Sequence, residues 1–393
     1  MSGWEKVEIG AVADVYDGPH ATPPPCEKSN AFFIGIPHVT PSGHLDLSQP
    51  RYIAETDFPK WTKRVTPRFG DVVFSYEATL NLYALIPENL KCCLGRRMGL
   101  VRPKPDKLDS NFLYYYFFSN LWRREVQIRT IVGATVDRLP IADFPGFPIY
   151  LPPLAEQRRI AGVLRAYDEA IENCRRQISL LEEAAQRLYR NRFLSGNEDN
   201  WESVSILDND VFRFVSPKVT PFRGEKLYYA TADVDGTGIV GQGEFVSFDN
   251  RPSRASIQPI PNSVWFARMS NSYKILCFIE GCGGLENRCI ISSGFAGFSS
   301  APEHFGYVYC TIASRLFDEM KNRFATGATQ VSLTNEGLGK ISVRLPPREA
   351  IRDFSSIVLP YLMNAELLRC QIKSFSEARD RLLPRLMSGE ASA

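Results

Sequence analysis

Apolar residues recur at a helical spacing in two long stretches, one in the middle of the chain and one at its carboxyl end. In the first, over residues 155–193, steps of four and three alternate at Ile160, Leu164, Tyr167, Ile171, Cys174, Ile178, Leu181, Ala185 and Leu188. The second follows the same spacing at Phe354, Val358, Tyr361, Ala365, Leu368, Ile372, Phe375 and Leu382, with Arg379 as its one misfit. A heptad seam predicts a partner helix, so we expect the two helices to pair. Alternatively, each helix packs on its own domain, as amphipathic helices usually do.

The chain also repeats short motifs that frame these helices. They are Gly-Ala-Thr at 133–135 and 327–329, Leu-Pro-Pro at 151–153 and 345–347, and Trp-Glu at 4–5 and 201–202. The two copies of Gly-Ala-Thr lie 194 residues apart, as do the two copies of Leu-Pro-Pro, and identities at this separation continue into the helices. The two Trp-Glu segments lie 197 residues apart. We therefore expect an internal repeat in which each half runs from a Trp-Glu segment to a long helix.

Between the repeated motifs the two halves differ strongly, and each shows a mixture of strand and helix patterns. The strands are predicted at 12–16, 32–36, 71–75, 228–232, 263–267 and 273–279, and the helices at 111–124 and 307–323. Gly- and Pro-rich turns separate these elements. The pattern predicts an α+β protein with two mixed α/β regions.

Composition narrows the class of protein. With 393 residues, 44% apolar and 23% charged, the chain predicts two or more globular domains. A net charge of +2 is low for a nucleic-acid-binding protein, so any basic surface must be local, and partner subunits are expected to supply part of the affinity. The sequence shows no signal peptide and no membrane-length apolar stretch, which favours the cytoplasm.

Motifs for catalysis are missing from the sequence. It contains neither a Gly-x-Gly-x-x-Gly nor a Walker loop, and no Asn/Asp-Pro-Pro-Tyr/Phe motif of amino-methyltransferases. The four histidines form no metal-like pairs, and Cys277, Cys282 and Cys289 are irregularly spaced, so we expect reduced structural cysteines. We expect no metal, no cofactor and no catalysis in this chain.

Three segments carry a resemblance to a known family. They are Leu151-Pro-Pro-Leu-Ala-Glu-Gln157, the second Leu-Pro-Pro at 345–347, and Gly-Asp-Val-Val-Phe at 70–74. Together with the long helices, they resemble the specificity subunits of type I restriction-modification systems over nearly the whole chain. The second helix start departs from the pattern, since Arg348-Glu349-Ala350 stands where the first has Leu-Ala-Glu, which puts the detailed helix contacts in doubt.

The resemblance implies a domain order and a set of partners. It places target recognition domains at 1–150 and 197–344 and spacer helices at 151–196 and 345–393, with the helices forming an antiparallel coiled coil and the halves related by a pseudo-twofold axis. It further implies a bipartite site in double-stranded DNA, two methyltransferase subunits that carry S-adenosylmethionine, and restriction subunits as further partners. By resemblance, this chain directs catalysis without performing it.

Candidate DNA-binding residues follow from side-chain chemistry on predicted turns. Two hairpin tips are candidates for base contact, one with Ser75, Tyr76, Glu77, Thr79 and Asn81, the other with Arg268, Ser270, Asn271, Tyr273 and Lys274. The glycine-containing segments add Thr135, Arg138, Thr329, Gln330 and Ser332, and candidate phosphate contacts are Arg96, Arg97, Lys218 and Arg223. The alternative for each is an ordinary solvated turn, connector or charged face.

The helices supply candidate partner-binding residues. These are Glu156, Arg158, Arg159, Arg187, Arg352 and Arg381. Two other classes of function stay open from the residues alone. One is a helical scaffold that joins partners without reading DNA, and the other is a fused methyltransferase or nuclease with degenerate motifs.

Overall fold

The structure is a computed structural model that describes residues 4–133, 135–195, 201–327 and 331–389. The chain folds into two compact units, one made of residues 1–170 and 375–393 and the other of residues 171–374. Each long helix therefore contributes to both units. The sequence-based boundaries between recognition domains and spacer helices stay a prediction.

The first unit is built on two sheets and a small strand pair. Its strands are β1 (Glu5–Glu8), β2 (Ala13–Asp17), β3 (Ala31–Ile34), β4 (Tyr52–Ile53), β5 (Val72–Ser75), β6 (Tyr83–Leu85), β7 (Cys92–Leu94), β8 (Met98–Pro103) and β9 (Pro148–Leu151). Its helices are α1 (Ile9–Val12), α2 (Phe58–Trp61), α3 (Ser110–Tyr116), α4 (Asn120–Arg129) and the start of α5 (Leu154–Phe193). The sheets have the orders β2-β8-β5-β6 and β4-β3-β7, and β1 pairs with β9.

Buried aromatic residues form the core of the first unit. Every residue of β5 is buried, as a strand covered on both faces requires. Beside this strand, Phe74 stacks on Phe144 at 4.4 Å between ring centroids. The fully buried indole N–H of Trp122 donates to the Tyr83 hydroxyl at 2.8 Å, so its polar atom is paired. This packing makes the sheet a rigid support for the loops at its ends.

The second unit contains two four-stranded sheets and two small strand pairs. Its strands are β10 (Glu202–Ser205), β11 (Arg213–Val215), β12 (Lys226–Tyr229), β13 (Val234–Asp235), β14 (Gly238–Ile239), β15 (Glu244–Val246), β16 (Ala255–Ile257), β17 (Ser263–Ala267), β18 (Ile275–Phe278), β19 (Cys289–Ser292), β20 (Phe295–Ser299) and β21 (Ser342–Leu345). Its helices are the rest of α5, from residue 171 onward, then α6 (Leu285–Arg288), α7 (Phe305–Ile312), α8 (Arg315–Phe324), α9 (Asn335–Gly339) and most of α10 (Arg348–Met387). The sheet orders are β11-β20-β17-β18 and β15-β12-β19-β16, with β10-β21 and β13-β14 as pairs.

The late helix predicted in each variable region is two helices in the structure. In the first unit, α3 and α4 are separated at Ser119, whose hydroxyl accepts a hydrogen bond from the Trp122 N–H. In the second, α7 and α8 are separated at Ser314, which caps the Phe317 N–H in the same way. The apolar pattern runs through both breaks, but a serine cap starts a new helix and changes its direction. The single-helix predictions for 111–124 and 307–323 were wrong on this point.

Two predicted strands also end early. The stretch 32–36 was predicted to be extended, but β3 stops at Ile34 and a 3₁₀ turn begins at Ile36. The stretch 228–232 was predicted to be extended, but β12 stops at Tyr229 and a 3₁₀ turn begins at Thr231. The Asp233 carboxylate accepts a hydrogen bond from the Ala230 N–H at 2.7 Å, and this local contact competes with the strand.

The two long helices contact each other within each unit, and the contacting residues run in opposite directions. In the first unit Asp168 pairs with Arg379 at 2.6 Å, which explains the one misfit in the predicted seam. In the second unit the Cys174 sulfur lies 3.8 Å from the Gln371 amide oxygen. The predicted seam residue Leu188 is exposed, and Tyr189 is buried in its place, because a straight helix drifts from the heptad spacing.

A buried histidine gives the first unit a dependence on pH. The Gly35 N–H donates to Nδ1 of His38 at 3.0 Å, and burial lowers the pKa of this imidazole. Unfolded chains take up the proton near pH 6.5, whereas the folded protein resists it, so we expect the free energy of unfolding to fall as the pH drops below about 6.5.

Urea unfolding at pH 7.5 and 5.5 measures this effect. In His38→Asn the side-chain carbonyl can still accept from Gly35 but does not titrate, so the variant should lose less stability between these pH values. Equal losses in the variant and the original protein would contradict the assignment to His38.

Candidate nucleic-acid interface

Several loops of the first unit meet at one end of the sheet β2-β8-β5-β6. Ser75 at the end of β5 pairs with Met98 at the start of β8, and Asp17 at the end of β2 pairs with Gly99. The β5–β6 hairpin tip, residues 76–82, therefore lies beside Arg96 and Arg97. We call this end of the sheet, together with residues 131–133 and 135–139, the first tip surface.

The glycine-containing segment of the first unit packs directly on the hairpin tip. The Ala78 N–H donates to the Asp137 carbonyl at 3.0 Å, and the Leu139 N–H donates to the Tyr76 carbonyl at 2.7 Å. Thr135 and Arg138 lie exposed on this segment. The sequence marked the two segments independently, and the structure joins them in one surface.

Two candidate residues of the first tip are buried. Ser75 is 1% exposed and Tyr76 is 4% exposed. Burial raises the pKa of the Tyr76 hydroxyl, and the neighbouring Asp17 carboxylate raises it further. Neither side chain reaches the surface, so we remove both from the candidates for base contact. The hairpin was predicted correctly, but the first two side chains of its turn point into the core.

The remaining candidates of the first tip are at least partly exposed. Arg97, a predicted phosphate contact, forms an ion pair with Glu77, a predicted base contact, at 2.9 Å, so the charges of the two side chains cancel. Thr79, Asn81 and Arg96 are exposed. Asn81 has a φ of 63°, a left-handed conformation that asparagine tolerates better than most residues and that suits a tight turn.

The second unit has the same arrangement at the end of its sheet β11-β20-β17-β18. The hairpin of β17 and β18 closes above the pair Phe266 and Ile275. The Ser270 N–H donates to the Val331 carbonyl at 3.0 Å, and the Leu333 N–H donates to the Arg268 carbonyl at 2.8 Å. Hairpin residues 268–274, together with residues 326–327 and 331–333, thus form a second tip surface. Ser332 lies on it, whereas Thr329 and Gln330 lie outside the described residues.

Three candidates in the second tip bind backbone carbonyl groups of the protein. Arg268 donates to Leu333 at 2.9 Å, Tyr273 to Ala313 at 3.0 Å and Lys274 to Thr231 at 2.8 Å. Burial lowers the pKa of Arg268 and raises that of Tyr273 to about 12. These contacts hold the tip in place, so the three side chains support the loop.

Sequence reasoning missed two residues of α8 that also hold the second tip. The ammonium group of Lys321, only 2% exposed, donates to the Ser272 carbonyl at 2.6 Å. The Asn322 side chain accepts a hydrogen bond from the Asn271 N–H at 2.8 Å. A lysine in a helix normally faces water, so the sequence gave no signal for this burial. The Asn271 side chain itself is exposed.

The other charged candidates are exposed, except for Glu156 and Arg159, which are half-buried. Lys218 and Arg223 follow β11, whose last residue, Val215, lies toward the end of the sheet that carries the tip. On the long helices, Glu156 pairs with Arg159 through two hydrogen bonds within one turn. The remaining candidate partner-binding residues, all exposed, are Arg158, Arg187, Arg352 and Arg381.

The part of the chain that the structure describes contains neither a group of metal-ligating side chains nor a membrane-spanning helix. Across the described ranges, no three His, Cys, Asp or Glu side chains are grouped as a metal ion would require. In the same part of the chain, no helix is both long and apolar enough to cross a bilayer.

Comparison with known proteins gives consistent matches. Residues 1–183 match the type I restriction modification DNA specificity domain. Over 98% of its length the chain is 23% identical to the type I restriction enzyme MjaIX specificity subunit of Methanocaldococcus jannaschii, covering 93% of that protein. It is 27% identical to the putative MjaX specificity subunit of the same organism, over 92% of this chain and 89% of that one.

A solved structure shows the same fold. The S subunit of a type I restriction-modification system from M. genitalium superposes with a TM-score of 0.57 at 17% identity, over 98% of this chain and 96% of that one. These matches confirm the resemblance seen in the sequence: residues 1–183 match the DNA specificity domain, and nearly the whole chain is similar to specificity subunits of type I restriction enzymes.

Proposed function

We propose that the chain reads a bipartite DNA site, with one half-site bound at each tip surface. The observation that carries this proposal is the repeated construction of the two surfaces. In each unit a hairpin tip and a later loop are joined by the same two kinds of backbone hydrogen bond, with different side chains presented on the same frame. Such a construction supports two readers of different specificity.

The side chains divide into two roles in this proposal. Thr79, Asn81, Arg138, Asn271 and Ser332 are the candidates for base contact, because each carries hydrogen-bonding groups on a tip surface. Candidates for phosphate contact are Arg96, Lys218 and Arg223, which are exposed and basic. Thr135, Thr329 and Gln330 stay predictions from the sequence.

The paired helices are proposed to act as a coiled-coil spacer between the two recognition domains, which a pseudo-twofold axis relates. The ion pair of Asp168 with Arg379 and the contact of Cys174 with Gln371 support antiparallel pairing. We further propose that two methyltransferase subunits, carrying S-adenosylmethionine, dock on the helices, where restriction subunits also join, and that the complex works in the cytoplasm. The exposed Arg158, Arg187, Arg352 and Arg381 are candidates for this docking.

An exchange of one recognition region tests the proposal. We expect that replacing residues 207–340 by the equivalent region of a relative changes one half of the methylated motif and spares the other, because each half is read by its own tip surface. Methylome sequencing of cells that express the hybrid with its methyltransferase gives the motif.

Controls separate this function from its rivals. Replacing the first recognition region, before residue 150, by that of a relative should change only the other half of the methylated motif. If either hybrid changed both halves, the readers would not be independent. If the chain were a scaffold, its complex with its partners would leave random DNA unprotected in a footprinting experiment. If it were an enzyme, the isolated chain would bind S-adenosylmethionine or a metal ion.

A further inference from the structure

A basic cleft opens beside the first tip surface, in a part of the chain that the sequence analysis did not mark. Its volume is about 350 Å³, and its charged residues are Asp17, His20, Lys60, Lys63 and Arg64. We propose that this cleft holds a backbone phosphate of the DNA flanking the first half-site. The inference rests on the proposed function and adds a second kind of contact to it.

The cleft concentrates positive charge in a protein whose net charge is close to zero. Its three cationic side chains and one carboxylate give the cleft a net charge of +2 when the histidine is neutral. This equals the net charge of the entire chain. Non-specific DNA affinity depends on such local charge. The cleft therefore supplies a basic patch of the kind that the near-neutral composition requires.

The cations of the cleft differ in whether they form ion pairs within the protein. Arg64 donates to Asp17 at 3.0 Å and to the Gly18 carbonyl at 2.7 Å, so it is held in place. Lys60 and Lys63 are exposed, and within the described residues neither forms an ion pair. The Lys60 ammonium lies 5.6 Å from the centroid of the Trp61 ring, a weak contact that leaves its N–H donors available. Two exposed ammonium groups beside a fixed guanidinium suit a phosphate, which accepts several hydrogen bonds at once.

The backbone places the cleft next to the tip. Asp17 ends β2, and the next residue, Gly18, donates its N–H to the Met98 carbonyl at 3.0 Å. A Cβ at Gly18 would lie 2.4 Å from the same carbonyl oxygen, so only glycine allows the strand to turn into the cleft here. Because Met98 also pairs with Ser75, DNA on the first tip surface would have its backbone within reach of the cleft.

DNA backbone is favoured over a free anion as the source of the phosphate. The cleft is open to solvent along exposed lysines, and it adjoins a surface already proposed to contact bases. Phosphate contacts position a protein on DNA but carry no sequence information. Removing them should therefore weaken binding and leave the recognised motif unchanged, which is opposite to the effect expected for the tip residues.

The test compares two variants of the full chain that lose the same charge. Lys60→Gln/Lys63→Gln removes the free cations of the cleft, and Lys6→Gln/Lys28→Gln removes two exposed lysines that do not line it. Binding to a random-sequence 30-base-pair duplex is measured by fluorescence anisotropy at several salt concentrations. We expect the slope of log K against log salt to become shallower by about 0.9 in the cleft variant, because one phosphate contact is lost, and to stay unchanged in the control.

The outcomes are distinct. Equal slopes for both variants would overturn the cleft while leaving the proposed function intact. Absence of DNA binding at every salt concentration, both by the original chain and by its complex with the methyltransferase subunits, would overturn both. A third outcome would identify a free-anion site. In that case the two variants would have equal slopes, and inorganic phosphate at matched ionic strength would displace the duplex from the original chain but not from the cleft variant. Methylome sequencing of the cleft variant should return the unchanged motif, and an altered half-site would contradict a phosphate role.

Discussion

Replacing Arg369 by alanine is expected to lower the free energy of unfolding by about 3 kcal/mol. The guanidinium of Arg369 pairs with Glu182 on the first long helix and with Glu366 on its own helix. About a fifth of each of these side chains remains exposed, which places the loss at the lower end of the range for broken buried ion pairs. Without the arginine, two carboxylates face each other in the interior.

Within the described residues, Arg369 is the one cation that forms an ion pair with Glu182 or Glu366. Glu182 otherwise accepts hydrogen bonds from the hydroxyl groups of Thr237, at 2.9 Å, and Tyr309, at 3.3 Å, and Glu366 from the Cys277 thiol. Burial already raises the pKa of Glu366, so the charged form depends on the arginine. Neutral donors stabilise a carboxylate less than a guanidinium does.

Urea denaturation of the full chain at pH 7 measures the loss. Lys373→Ala is the matched control, because it removes an exposed cation from the same helix and should change stability by less than about 0.5 kcal/mol. A loss of under about 1 kcal/mol for Arg369→Ala would show that the network contributes little. Arg369→Met with Glu182→Gln and Glu366→Gln should recover part of the loss, because no unpaired charge is then buried.

This network marks the limit of what the sequence could predict. Periodicity is local, so the helix at 155–193 and the hairpins at both tips were found within a residue or two of their observed bounds. Pairing of Arg369 with Glu182 depends instead on the tertiary approach of two distant segments. The seam showed Arg379 only as a misfit, and its partner Asp168 became evident from the structure alone.

The candidate sites divide in the same way. Side-chain types and turn positions identified both tips, since Asn, Ser and charged residues between two strands indicate an exposed hairpin. The burial of Tyr76 and the hydrogen bond from Lys274 to the Thr231 carbonyl could not be predicted from the sequence. A tyrosine or a lysine in a turn is equally compatible with an exposed side chain. The cleft at Lys60 and Lys63 escaped notice because its walls come from segments about forty residues apart that no motif connects.

Lengthening the helix pair is expected to lengthen the gap between the two half-sites of the recognised DNA. The facing residues Cys174 and Gln371 mark matched positions on the two helices, so four residues inserted after each preserve the pairing on both sides. Four residues add about 6 Å and nearly whole turns, and the seam continues as a stutter. If the helices set the spacing, the non-contacted spacer should grow by one or two base pairs at about 3.4 Å each.

Two residues inserted at the same positions provide the control, since they add only about 3 Å but rotate the downstream seam by roughly 200°. The apolar faces on the two sides of the insertion then cannot both meet their partners, because the core-facing residues of one side turn toward water. Helix pairing and methylation should both be lost in this variant, although it is the smaller insertion. Methylome sequencing reads the spacer in the four-residue variant, and circular dichroism melting reports pairing in both. An unchanged spacer in an active four-residue variant would defeat the spacer role of the helices, because the pair would then have lengthened without moving the readers.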